Sequence, residues 1–370
     1  MDIETLRADC PGYRSCTYLN TGASGPSPRH VVDAVCAFER HHQFDAPCEE
    51  GPYTAASDTL STVRETVASF IGADAGQIAF TRNTVEGITH IAGAIDWEPG
   101  DVVVRTDLEH PAGALPWEQL RRRHGVEVRE IATENGRLDR ETLAACLDGA
   151  RLVCLSSLTW NYGTRLPVTE IVEMAHDAGV KVLVDAVQSV GHHSVDVEAW
   201  GADFVALSGH KWLLGPWGAG VLYVADPDTL EPGQIGYFSV QTDDEYGLDV
   251  EDYRFHPDAR RFELGTTAIS PYVGLQTAIE TFEAIGMRRV EARIERLTAR
   301  LREGLGDRLV SPPDARSGLV TFEADDPQGL VERLKQQNIH IRWLPDPYAC
   351  RVSVHAVNTD AEIDQLLDAL

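Results

Sequence analysis

The sequence predicts an α/β protein, with a large domain on a mostly parallel, mixed sheet and a smaller C-terminal α/β domain. Three observations predict it. Between residues 100 and 224 short apolar runs alternate with stretches at helical spacing, the pattern of an open sheet covered by helices on both faces. Past residue 230 that rhythm stops and the chain becomes rich in Gly, Asp and Tyr. At 370 residues the chain is also too long for one ordinary core, so a second, smaller domain is expected. The expected division is an N-terminal segment, 1–19, packing with the small domain, a large domain over 20–270, and a small domain over 271–370.

The elements follow in order. After a short opening helix, Tyr18-Leu19-Asn20-Thr21-Gly22-Ala23-Ser24-Gly25-Pro26 forms a loop that either lets backbone approach a ligand closely or simply turns the chain. Residues 31–43 and 56–71 read as helices. Residues 78–81 read as a buried strand, and Arg82-Asn83-Thr84 leads from it into a helix starting near Val85. A strand, a polar turn and a helix N-terminus make an anion site; the same residues would also serve as a plain N-cap. Residues 102–104, 126–131, 152–155, 181–187, 204–207 and 220–224 then read as strands, with helices at 116–124, 140–147 and from Pro167 onward. Residues 231–260 read as an excursion over the face where ligands bind. A long amphipathic helix carrying Val290, Ile294, Leu297 and Leu301 bridges into the small domain. There, strands are expected at 319–322 and 351–354, with helices at 327–337 and near the C-terminus.

Composition narrows the function. A hydrophobic content of 43% with interspersed charge describes a soluble globular protein, and no apolar run reaches the roughly 18 residues that cross a bilayer. The start MDIETLRADC has neither the basic nor the apolar part of a signal peptide, which points to the cytoplasm. With 58 acidic against 32 basic residues, the formal charge of −26 excludes nucleic acid and anionic membranes as natural partners. Such acidity with only three lysines also suggests halophilic adaptation, with structure lost as salt is withdrawn. The seven cysteines are scattered and contain no CxxC pair, so they read as reduced thiols, and no metal site is expected.

Rarity singles out Lys211, since arginine supplies almost all the positive charge. A desolvated lysine can lose its proton and condense with an aldehyde, which arginine cannot do. Alone, Lys211 reads as a surface lysine after a strand. Its neighbours decide otherwise: ligands of such sheets bind at the carboxyl ends of strands, where Asp185, Gln188, Ser208, His210 and Lys211 all fall.

These residues resemble the pyridoxal 5'-phosphate (PLP) site of fold-type I enzymes of the class V aminotransferase family, which includes cysteine desulfurases, selenocysteine lyases and isopenicillin N epimerase. The likeness runs through nearly the whole chain: the Tyr-Leu-Asn loop, Thr81 to Gly87, Glu109-His110-Pro111-Ala112, Gly163-Thr164, Val184 to Gln188, Ser208-Gly209-His210-Lys211, Arg261 to Thr266, and Arg351-Val352-Ser353. The resemblance implies PLP as cofactor and a Schiff base at Lys211, which would also move the α-proton. It implies that Asp185 pairs with the ring nitrogen, that His110 stacks on the ring and that Gln188 bonds its phenolic oxygen. Asn83, Thr84, Ser208 and His210 would hold the phosphate. Thr266 would reach the neighbouring site of a homodimer. For an amino-acid substrate, the resemblance points to Arg351 and Arg342 for the carboxylate, with Trp160 and Ala23 lining the pocket.

Two departures bear on the reaction. Desulfurases carry a nucleophilic cysteine on a loop between the two arginines; here that segment is short and its one cysteine, Cys350, abuts Arg351, where a strand would bury it. Trp160 stands where desulfurases place an asparagine. The expected activity is therefore an aminotransferase-type reaction, most simply transamination. The alternatives are an epimerase or racemase, a C–S lyase or desulfurase-like enzyme, and a non-catalytic PLP-binding regulator.

Overall fold

A computed structural model describes residues 1–242 and 248–370. A two-residue strand, β1 (Thr17–Tyr18), precedes the seven strands of the main sheet: β2 (Ile78–Thr81), β3 (Val102–Thr106), β4 (Glu127–Ile131), β5 (Ala150–Ser156), β6 (Lys181–Asp185), β7 (Phe204–Ser208) and β8 (Gly220–Val224). Their order is β2-β8-β7-β6-β5-β3-β4, and only β8 runs antiparallel to its neighbours. The sheet is thus mixed and mainly parallel, as the alternation of elements predicts.

Side chains alternate across each strand, and that alternation divides the interior into two cores. Val153, Leu155, Val182, Val184, Val205 and Leu207 face one core. Their neighbours Leu152, Cys154, Leu183, Phe204 and Ala206 face the other. Strands buried on both sides read as continuous apolar runs, which is why they stand out in the sequence. At the edge, β4 exposes Glu127 and Glu130, charges that discourage pairing with another chain.

The small domain contains β9 (Leu319–Phe322), β10 (Ile339–His340), β11 (Arg342–Pro345) and β12 (Tyr348–Ser353); β11, β12 and β9 form an antiparallel sheet. β10 instead pairs with β1, tying the N-terminal segment to this end of the molecule. One helix links the cores. In Met287–Leu305, Val290 and Ile294 enter the first large-domain core, whereas Leu297, Leu301 and Leu305 enter that of the small domain. Helix Ser270–Ile285 packs against helices Arg29–Arg40 and Pro52–Ile71.

Some boundaries differ from expectation. The helix expected from Pro116 begins at Pro111, because His110 Nδ1 caps it by accepting from the Ala112 N–H at 3.2 Å and Pro111 occupies its first turn. The segment between Arg342 and Arg351, where the sequence suggests a short loop, is a hairpin in which Pro345 pairs with Tyr348 and only Asp346 and Pro347 turn the chain. The excursion of 231–260 includes residues 243–247, which lie outside the described residues; around them, Val240 bridges Phe255.

Candidate active site

Because β2, β5, β6 and β7 run the same way, their carboxyl ends share one edge of the sheet, and Thr81, Ser156, Asp185 and Ser208 lie along it. Asp185, only 5% exposed, accepts from the Val187 N–H at 2.9 Å. Burial pushes its carboxyl up, and the nearby Lys211 pulls it down. Its register partner Ser156 donates to Glu109 through both backbone and hydroxyl, at 3.1 and 2.6 Å, and Thr106 Oγ1 donates to Glu109 at 2.7 Å. Burial lifts the Glu109 carboxyl to about 7 despite those donors, with Asp185 adding to the rise. The Glu109-His110 motif stands out in the sequence, but nothing local to it assigns Glu109 a role.

Lys211 follows β7 on a tight turn closed by the Gly215 N–H donating to the Gly209 carbonyl at 2.9 Å. The glycine-rich opening loop packs on this turn: the Gly25 N–H donates to the His210 carbonyl at 2.8 Å. A Cβ at residue 25 would come within 2.2 Å of the Lys211 carbonyl oxygen, so only glycine fits there. Among the described residues the Lys211 amine has no hydrogen-bond partner. Burial lowers its pKa to about 8; Asp185 opposes the shift, and Arg351 and Arg342 reinforce it.

Beside the lysine, the Thr84 N–H donates to Ser208 Oγ at 2.8 Å, and the two hydroxyls lie 2.7 Å apart at the start of helix Thr84–Ala94. Asn83 spends its side-chain oxygen on the cap, accepting from the Glu86 N–H at 3.0 Å. His210 packs 5.4 Å from Trp217, and burial and Lys211 hold it near 4, hence neutral. Two hydroxyls, a neutral imidazole and the start of a helix form a set of groups suited to phosphate. Gln188 is buried, with its amide donating to the Gly22 carbonyl at 2.9 Å and accepting from Trp212 Nε1 at 2.7 Å, which leaves one N–H for another partner.

On the opposite wall, Arg351 is 1% exposed, and its Nη1 donates to the Trp160 carbonyl at 2.8 Å. Among the described residues its Nε and Nη2 are buried without a partner, as are Asn20 Oδ1, Trp160 Nε1 and Ser353 Oγ. Each such atom costs about 1–3 kcal/mol unless a ligand satisfies it. A Cβ on Gly22 would lie 2.8 Å from Ser353 Oγ and 3.3 Å from Arg351 Nη2, so that glycine keeps the approach open. Burial, then Arg342, lowers the Arg351 guanidinium to about 9. Arg342 is half-buried and sits 5.8 Å from the centre of the Trp160 ring, which meets His110 edge-on at 5.0 Å. Burial and the neighbouring cations keep His110 neutral, near 4. Ala23 lies in the opening loop, its N–H donating to the Asn20 carbonyl at 2.9 Å.

Thr266 is not brought to this site. It is exposed on a separate groove of about 1310 Å³, with Arg82, Phe80 and Tyr272. The motif leading to it is structural: Arg261 donates to the carbonyls of His256, Pro227 and Leu230, and Glu263 pairs with Arg64 at 2.7 Å. Cys350 points away from Arg351, into the small-domain core, where its thiol faces the Pro327 carbonyl at 3.6 Å and burial raises it to about 12.

Comparison with known proteins supplies the lineage. The aminotransferase class-V family model matches residues 17–366. A probable cysteine desulfurase of Methanothermobacter thermautotrophicus is 34% identical over 398 residues, covering 100% of this chain and 98% of that protein. The apo structure of a cysteine desulfurase from Thermococcus onnurineus superposes with a TM-score of 0.91 at 29% identity, over 99% of this chain and 96% of that one. A cystine C–S lyase in complex with its product cysteine persulfide superposes with a TM-score of 0.90 at 28% identity, over 97% and 98% of the two chains. The chain belongs to the class V aminotransferase family, as a cysteine desulfurase-like, fold-type I PLP enzyme.

Proposed function

We propose that the protein is a PLP-dependent C–S lyase that removes the sulfur substituent of a cysteine-type amino acid by β-elimination. The observation that carries this reading is that Cys350, the thiol next to Arg351 in sequence, is sealed in a strand and turned into the small-domain core. Persulfide transfer needs a mobile thiolate, whereas elimination needs none. The relatives' names support sulfur chemistry over transamination, the first expectation from the motifs.

The residues fit the cofactor. Among the described residues the Lys211 amine has no hydrogen-bond partner, the buried Asp185 carboxylate acts on it electrostatically, and the Thr84 and Ser208 hydroxyls lie together. When bound, PLP would withdraw electrons from the substrate's α-carbon. Lys211 would hold the cofactor's aldehyde carbon and then take the α-proton, for which an amine titrating near 8 is well matched. Asp185, kept dry, would hold the proton on the ring nitrogen. Thr84, Ser208 and His210 would receive the phosphate beside the Asn83 turn, His110 would cover the ring, and Gln188 would offer its spare N–H to the ring oxygen. Arg351 would bind the α-carboxylate through Nε and Nη2. Thr266 would serve the neighbouring site in a homodimer, in which Trp160 and Ala23 bound the substrate pocket.

The test is product analysis. Protein supplied with PLP and sulfur amino acids should release pyruvate and a thiol or sulfide, and Lys211→Ala should abolish release. Amino transfer to a 2-oxoacid as the main turnover would refute the proposal.

A further inference from the structure

A second buried carboxyl, Glu109, acts on Asp185 across the end of the sheet and takes no part in the elimination. Ser156 and Asp185 are register partners on β5 and β6, so their side chains leave the same face of the sheet. Glu109, just before helix Pro111–His124, reaches Ser156 there and joins it to Thr106 at the end of β3. All three of its hydrogen bonds come from neutral groups, and it makes no ion pair among the described residues. The titratable groups that face it are Asp185 from β6 and the Cys154 thiol from β5, both acids, with the neutral His110 next in its own chain. Arg105, on β3, pairs with Glu130 at 2.5 Å instead.

Two carboxyls in one dry space do not both ionise without a large cost, so they share a proton between them. Which one keeps it follows from their partners. Lys211 acts on Asp185 and favours its charged form, and the Val187 N–H donates to it at 2.9 Å. Glu109 has no such cation, and burial, with the Asp185 charge adding to it, lifts its carboxyl to about 7. A hydroxyl can accept as well as donate, so the 2.6 Å contact with Ser156 Oγ also suits a carboxylic acid donating to it. We propose that Glu109 is a positioning residue for the cofactor's ring nitrogen: it keeps the shared proton, which leaves Asp185 as the anion, and through Ser156 it fixes the strand end beside Asp185. This rests on the PLP site assigned above and names what keeps Asp185 charged within it.

Two measurements test it. Infrared difference spectra between wild type and Glu109→Gln, taken with and without PLP at about pH 6, below the Glu109 midpoint, should show a protonated-carboxyl stretch in the wild type that isotope labelling of glutamate moves. Equilibrium dialysis then gives the affinity of the cofactor-free protein for PLP and for its deaza analogue, in which CH replaces the ring nitrogen. The preference for PLP is expected to fall about tenfold in Glu109→Leu, the scale of one lost buried hydrogen bond, and to be restored in Glu109→Gln, a neutral group that fits the same partners. Should the leucine variant not fold, Ser156→Ala, which removes one of the three bonds, is expected to lose about threefold of the preference. A wild type without that stretch, or a stretch that Glu109→Gln leaves in place, would overturn the proposal, because Glu109 would then be ionised. So would a leucine variant with the wild-type preference, since Glu109 would then serve the fold alone. If no variant binds PLP while the stretch still depends on Glu109, the cofactor reading fails and the shared proton stays with Glu109.

Discussion

Replacing Arg351 by methionine separates function from stability more sharply than any other substitution in the site. A guanidinium held at about 9 instead of the usual 12.5 works against folding by on the order of 5 kcal/mol. Its one hydrogen bond among the described residues, to the Trp160 carbonyl, returns about 1 kcal/mol. An apolar side chain of similar length removes the unpaired charge, and such replacements are often stabilising by about 1–4 kcal/mol. Arg351→Met should therefore raise the thermal midpoint of the cofactor-free protein by a few degrees, read by circular dichroism. In the same variant kcat/KM should fall about a hundredfold, the loss of roughly 3 kcal/mol of charge-assisted carboxylate binding. A variant that melts lower than the wild type would refute the reasoning, because the arginine would then hold the fold together. Unchanged kcat/KM would refute its role toward substrate.

Other substitutions and conditions test the remaining parts. The Lys211 amine is reactive only when neutral, so PLP uptake by the cofactor-free protein should slow about tenfold per pH unit below about 8; a flat profile from pH 6 to 8 would remove Lys211 as the acceptor. Arg351→Met should move that midpoint upward, because the Arg351 charge helps hold the Lys211 amine low. Cys350→Ala should cost about 1 kcal/mol of stability through a small cavity in the small-domain core and leave turnover unchanged; loss of turnover would restore a thiol mechanism. The chain's charge of −26 predicts a thermal midpoint that rises from 0.1 M to 2 M potassium chloride, and a midpoint indifferent to salt would end the halophilic reading.

The sequence made the strand ends legible because β5, β6 and β7 are apolar on both faces and stop at Ser156, Asp185 and Ser208. Lys211 was visible through its rarity. What the sequence hid depends on contacts between distant segments. Glu109 owes its burial to Ser156 and Thr106, and no local pattern announces that. Arg342 and Arg351 are nine positions apart, and only the β11–β12 register sets them side by side. Arg342-Trp343-Leu344-Pro345 is a poor strand by pattern, ending in proline, so nothing local announces the hairpin. For Asn83 the local pattern favours an N-cap and only the family resemblance adds a cofactor contact; its side-chain oxygen caps the helix.

The central claim is that sulfur leaves by elimination without an enzyme thiol, and the most direct measurement is the ratio of pyruvate to alanine formed from a sulfur amino acid. Proton NMR of a single reaction mixture resolves both products. Pyruvate as the predominant product, at equal rate in the wild type and Cys350→Ala, is the predicted result. Alanine formed in step with sulfur transfer and abolished in Cys350→Ala would contradict it.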